Sequence, residues 1–178
     1  VMTYHNKHPD DGRVRVGNAL DLPPSRVQPW LNGSKPDVVR GLDTARDRGW
    51  LPVDWDSDVG RGLATLVAWI FAGGSIIETN YKPLFAVQTD AERTRLDDFA
   101  DAAGVTVDLT RSGDPKRGRE YRPVEDASVL GRVLAALGAP VGAKHADRDL
   151  SLPWWVRNPA SNVRHLFATT YLFLRAVQ

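Results

Sequence analysis

Arg111, Lys116, Arg117 and Arg119 lie close together with one acid, Asp114, among them, and Arg122 follows closely. Cations gathered on a turn suit phosphate oxygens, contacts that supply much of the affinity for nucleic acid and make it salt-sensitive. The plain alternative is a solvated turn. Ser25, Arg26 and Gln28 form a second group. Arginine can read guanine, and glutamine adenine, through paired hydrogen bonds. Gln88, Thr106, Asp108, Thr110 and Arg122 form a third, as side chains of a sheet face within reach of base edges; one step of register would turn them away. Lys144 and His145 are further phosphate candidates. Asp54, Asp56 and Asp58 alternate as carboxylates that could hold a divalent cation. They lack the glycine turn and distal glutamate of a calcium loop, so the expectation is a solvated linker with Asp58 as a helix cap. His5 and His8 sit in a polar stretch, residues 1–12, that reads as a loosely docked arm.

Composition narrows the chemistry. The chain has no cysteine, which excludes disulfides, thiolate metal sites and cysteine nucleophiles, and fits a reducing compartment; the expected location is the cytoplasm, with the nucleoid. A net charge of +1 leaves any nucleic-acid footprint to local clustering. The opening residues lack the apolar core of a signal peptide, and no run reaches the roughly 20 apolar residues of a membrane span. Apolar residues at 42% and charged residues at 25% over 178 positions fit a soluble protein with one sizeable core, or a small module beside a larger one.

The elements that must position these residues follow from periodicity and caps. Val14–Leu20 reads as a short helix, Asp21–Ser25 as a turn, and Arg26–Leu31 as a second helix closed by Asn32 and Gly33, with Pro29 expected to bend it. Val38, Val39, Leu42 and Ala45 recur at helical spacing over residues 37–49. Leu63–Ile77 is the organising stretch: an apolar helix that ends in Ala72, Gly73 and Gly74 and runs on into a strand. Its small residues would let a partner helix approach closely, so Leu66, Ala68, Trp69, Ala72, Gly73 and Gly74 are the expected helix interface. Residues 75–81 and 82–89 read as paired strands, 91–103 as an amphipathic helix capped by Gly104, and 105–110 and 120–124 as a second strand pair about a turn over 111–119. Residues 127–137 read as a helix opened by Asp126. The fold class is α+β, a helical module over 1–53 and an αββαββα domain over 54–178, with helices on one face of an antiparallel sheet.

Two resemblances add to this reading. Val16, Gly17, Leu20, Leu22, Val27 and Trp30 occupy the apolar or small positions of a helix-turn-helix, with Asp21 where the turn commonly has glycine. That motif implies that Ser25, Arg26 and Gln28 face a major groove; the alternative is a helical bundle that only packs. The nine residues Leu66 to Gly74 resemble the signature helix of the LAGLIDADG homing-endonuclease family. Leu137–Lys144 with Leu150–Val156 is similar to the stretch that precedes the family's next signature helix, and Asn162–Tyr171 stands where that helix belongs. The resemblance implies a half-saddle whose open sheet face lies along duplex DNA. The family's metal-binding carboxylate positions are Gly73 and Thr170 here, so no catalytic residue, metal or cofactor is expected.

The leading expectation is sequence-specific binding of double-stranded DNA in transcriptional regulation. The alternatives are an active nuclease with displaced carboxylates such as Glu78 or Asp58, and a protein-interaction module. A homodimer through Leu63–Gly74 is expected, against packing of 163–177 on that helix within one chain. Trp154 and Trp155 are expected to anchor the core and the dimer seam.

Overall fold

The structure is a computed structural model that describes residues 1–114, 118–144, 150–158 and 162–176. The chain divides into two compact units, Val1–Asp43 and Thr44–Gln178.

The first unit holds α1 (Met2–Lys7), α2 (Arg13–Leu20), α3 (Pro24–Leu31) and the start of α4 (Asp37–Asp47). The arm expected over residues 1–12 contains α1, none of whose residues is buried. Tyr4 Oη donates to Asp11 Oδ2 at 3.2 Å, which folds the segment after α1 back onto it. Asp21 takes the left-handed conformation, φ 52°, where a short polar side chain is tolerated. A Cβ on Gly17 would come within 2.6 Å of the Leu22 carbonyl oxygen, so only glycine lets the turn close over α2. Val16, Gly17 and Val27 are the buried residues of the unit. α3 continues past Pro29 and closes at Gly33, where Ser34 N–H donates to the Pro29 carbonyl at 2.8 Å. The inward stripe read into α4 is only partly inward. Ala45 is buried, but Val38 is 74% exposed. Periodicity marks a face; it does not supply the element that would cover it.

The second unit is built on α5 (Asp58–Ala72), which is buried without a break from Gly62 to Ala72. Its cap is Ser57, whose hydroxyl accepts from Gly60 N–H at 3.0 Å; Asp58, expected as the cap, is the first helical residue and pairs with Arg61. α5 runs through Gly73 into β1 (Gly74–Ile76), as its composition predicts. Then follow β2 (Pro83–Val87), α6 (Asp90–Ala102), β3 (Val107–Asp114), β4 (Gly118–Pro123), α7 (Ala127–Ala136), α8 (Trp154–Arg157) and α9 (Arg164–Ala176). The mixed α+β class and the order from α5 to α7 are as expected. The four strands form one antiparallel sheet in the order β1-β2-β4-β3. β3 and β4 extend further towards each other than expected, so Arg111 and Arg119 lie in strands and not in the turn.

The close approach expected at Gly73 and Gly74 lies elsewhere. A Cβ on Gly73 would meet only the Ala86 carbonyl, at 3.8 Å, and one on Gly74 would meet the Leu84 carbonyl at 2.7 Å. Both neighbours belong to strand β2. The tight helix contact is at the other end of α5, where a Cβ on Gly62 would stand 2.6 Å from Ala103 N. Of the expected interface, Leu66, Ala68, Trp69 and Ala72 are buried, Trp69 in an edge-to-face contact with Phe99 of α6 at 6.3 Å.

α9 packs along α5 within the chain. Asn162 donates to Asp56 just before both helices begin, and Phe167 meets Phe71 edge-to-face at 5.4 Å further along both. The contacts recur in the same order along each helix, so the two run in the same sense. Burial of α5 by α6, α9 and the sheet overturns the expected dimer seam over Leu63–Gly74: the intrachain alternative holds, because a helix buried all round has no face left for a second copy. Trp155 joins this core, 5.0 Å from Trp55 and 5.7 Å from Phe167, whereas Trp154 is 59% exposed.

Candidate nucleic-acid interface

Burial alternates along β2: Pro83, Phe85 and Val87 are buried, Leu84 and Ala86 less so. The register carries that alternation across the sheet. Phe85 pairs with Tyr121 and Tyr121 with Leu109, while Val107 pairs with Pro123; these residues face the helices. Arg93 of α6 lies over the Tyr121 ring at 4.1 Å from that side. On the other face Leu84 pairs with Ser75, Ala86 with Glu120, and Asp108 with Arg122. Gln88, Thr106, Asp108, Thr110 and Arg122 are all exposed. Asp108 and Arg122 are partners across β3 and β4, whereas Gln88 and Thr106 lie just outside the strands and Thr110 at the irregularity between Leu109 and Arg111.

This face is firmly built. Glu92 is 2% exposed, and its carboxylate accepts from the backbone N–H groups of Gln88 and Thr89, while the Thr89 hydroxyl accepts from Glu92 N–H at 3.1 Å. This reciprocal cap fixes the backbone at Gln88. The T-x-x-E spacing was present in the sequence as the signal for it. A Cβ on Gly118 would come within 2.8 Å of Gln88 Nε2, so the hairpin also hems in that amide. Thr110 Oγ1 donates to the Glu120 carbonyl at 2.8 Å, beside an irregularity in the β3–β4 ladder between Leu109 and Arg111. Arg111 stands opposite Glu120 in the register. Sequence reasoning missed Ser75, Leu84, Ala86 and Glu120, which period-two alternation places between the chosen residues.

The remaining expected sites separate. Arg119 is in register with Val87, on the helix side, and its Nη2 is 2.8 Å from Asp90 Oδ1. The hydrogen bond it donates to Asp90 holds the guanidinium further above its ordinary range. Arg119 thus stands in β4 beside Asp90 and not on the turn it was assigned to; strand parity, invisible in a charge count, decides this. Lys116, Arg117 and His145 lie outside the described residues.

Lys144 is also not a surface cation. The backbone after α7 returns past the sheet edge, where Gly142 N–H donates to the Ile76 carbonyl at 2.8 Å. That path delivers Lys144 Nζ to the carbonyl oxygens of Ile70 and Phe71, in the last turn of α5, the latter at 3.2 Å. Burial, helped by the charge of Arg175, lowers its pKa from the usual 10.5 to about 8.

In the first unit, Ser25 and Arg26 are exposed at the start of α3. Gln28 is half-buried and held at both ends: Arg13 Nη1 donates to its Oε1 at 3.3 Å, and its Nε2 donates to Asn32 Oδ1 at 2.9 Å. The amide needed for paired bonds to adenine is thus already engaged within the unit.

The acidic alternation is locally occupied as well. Asp54 Oδ1 accepts from Asp56 N–H at 3.0 Å, Asp56 accepts from Asn162, and Asp58 pairs with Arg61. Among the described residues no three His, Cys, Asp or Glu side chains group as a metal site, and no helix is long and apolar enough to cross a membrane. No family model, curated protein or solved structure matches the chain.

Proposed function

We propose that this protein binds double-stranded DNA through the outer face of its sheet and reads sequence from it. The observation that carries this reading is a four-stranded antiparallel sheet on which Asp108 and Arg122 pair in register and stand exposed, with Gln88 and Thr106 exposed just beyond the strand ends. A two-stranded β-ribbon or a strand face can enter the major groove, and these residue types match its donor and acceptor code: Arg for guanine, Gln for adenine, a carboxylate for the amino group of cytosine. Leu84 and Ala86 between them offer apolar contact to a thymine methyl.

The proposed fold is a LAGLIDADG-type half-saddle behind a helix-turn-helix. Its support is the αββαββα order, the resemblance at Leu66–Gly74, and the packing of α9 on α5 in the same sense. Ser25 and Arg26 are the proposed contacts of the first unit. The acidic positions of the resemblance hold Gly73 and Thr170, and Thr170 is buried. The proposed role is therefore recognition, of the kind a transcriptional regulator needs, without strand cleavage.

Selection of bound duplexes from a random pool, followed by anisotropy titration across salt, tests this. A selected sequence with a negative slope of log affinity against log salt is expected. Arg122→Ala should weaken the selected site by about 1–3 kcal/mol and relax one base position. No affinity for any duplex at low salt would remove the proposal.

A further inference from the structure

Four side chains of the outer sheet face stand in a row that crosses all four strands. Ser75 of β1 is in register with Leu84 of β2, and Asp108 of β3 with Arg122 of β4. Between β2 and β4, Phe85 is opposite Tyr121, so one step along the same antiparallel ladder Leu84 comes beside Arg122. The order across the face is hydroxyl, isobutyl, guanidinium, carboxylate. Arg122 and Asp108 are exposed and directly opposed, yet among the described residues neither side chain is held in a hydrogen bond or ion pair.

On a surface that meets DNA, a carboxylate repels phosphates and finds a favourable partner in a base amino group. Asp108 therefore narrows what its neighbour Arg122 meets. Neighbouring strands lie ~4.8 Å apart and stacked bases ~3.4 Å apart, a difference that side chains take up over one step on either side of Arg122. Guanine presents two acceptors to a guanidinium, thymine presents its 5-methyl group, and cytosine presents its amino group.

We propose that this row reads three successive base pairs. Leu84 packs on the 5-methyl group of a pyrimidine, Arg122 takes the neighbouring guanine through O6 and N7, and Asp108 accepts from the N4 amino group of a cytosine on the guanine's other side. This role rests on duplex binding by the sheet and adds the ligand to it: a guanine flanked by a methyl-bearing pyrimidine. Apolar contact senses the methyl group and not the pairing edge, so 5-methylcytosine serves as well as thymine.

The test uses the intact chain and the duplex that it selects from a random pool. Replacing the thymine beside the guanine by uracil removes the methyl group alone. Binding should weaken about fourfold, the weight of one apolar carbon, and 5-methylcytosine at that position should bind about fourfold tighter than cytosine. In Leu84→Ala both differences should vanish. Replacing the guanine by 7-deazaguanine should weaken the wild-type chain about fivefold and leave Arg122→Ala unaffected, and Asp108→Asn should shift the third position from cytosine towards adenine. A selected site without a guanine beside a methyl-bearing pyrimidine, or equal binding of the uracil and thymine duplexes by the wild-type chain, would overturn the proposal and leave duplex binding standing. Failure to bind any duplex at low salt would instead remove duplex binding itself, and the role of the row with it.

Discussion

The two units solve the problem of staying folded in different ways. The C-terminal unit buries three tryptophans, Trp50, Trp69 and Trp155, and each satisfies its indole N–H on a backbone carbonyl: Ala103 at 2.8 Å, Ala86 at 3.0 Å and Leu137 at 2.8 Å. Large side chains thus supply both apolar area and long-range cross-links. The N-terminal unit, Val1–Asp43, buries only Val16, Gly17 and Val27. It relies on turn geometry: Asp21 at positive φ, Gly17 under the Leu22 carbonyl, and the closure of α3 at Gly33. A unit near ~40 residues with so small a core is marginal by itself. A core tolerates local error because its contacts are many; a turn held by one close approach does not.

Four changes sharpen or break this contrast. Trp155→Ala has the largest expected effect, about 3–5 kcal/mol, since it opens a cavity beside Trp55 and Phe167 and leaves the Leu137 carbonyl without its donor. Denaturant titration by far-UV circular dichroism measures it; a loss below about 1 kcal/mol would mean that the core relaxes as easily as a surface. Gly17→Ala comes next, at about 1–3 kcal/mol, from forcing a methyl against the Leu22 carbonyl. Its effect should be confined to faster amide exchange in residues 1–43, read by hydrogen-exchange mass spectrometry. Equal loss of protection in α5 would show that the units do not fold separately.

Ser57→Ala should cost about 1 kcal/mol by removing the α5 cap, and Ser57→Asp should restore it. The remaining test is the pH dependence at Lys144. Below about pH 8 the amine is protonated in both folded and unfolded chains. Between about 8 and 10.5 the folded chain has lost that proton while the unfolded chain keeps it, so stability rises with pH through this window. Lys144→Met should abolish that rise, seen as denaturation midpoints that no longer climb across the window. A rise that survives the substitution would place its origin in another group.

The fold was largely legible because its cues are local. The apolar run ending in Ala72, Gly73 and Gly74 marked a helix passing into a strand; Gly104 marked the stop of α6; the alternation around Leu84–Val87 marked a strand with one buried face. The candidate site was legible in part. The pairing of β3 with β4 sets Asp108 opposite Arg122, a register that the sequence left open, while grouping cations on a turn did not foresee that Arg119 stands in β4 beside Asp90. The engagement of Gln28 was hidden for a related reason: its partner Arg13 lies a helix away in sequence.

By itself, the sequence determined which segments are helix and strand, where they stop, and which side chains alternate, because hydrogen-bond periodicity, caps and pleat act over a few residues. Tertiary structure alone decided which partner each charged or buried group meets. It set α9 against α5 where a second copy was expected, and it brought the Lys144 amine to the carbonyls of Ile70 and Phe71. Those pairings join residues dozens of positions apart, and only the closing of the chain around its core brings them within bonding distance.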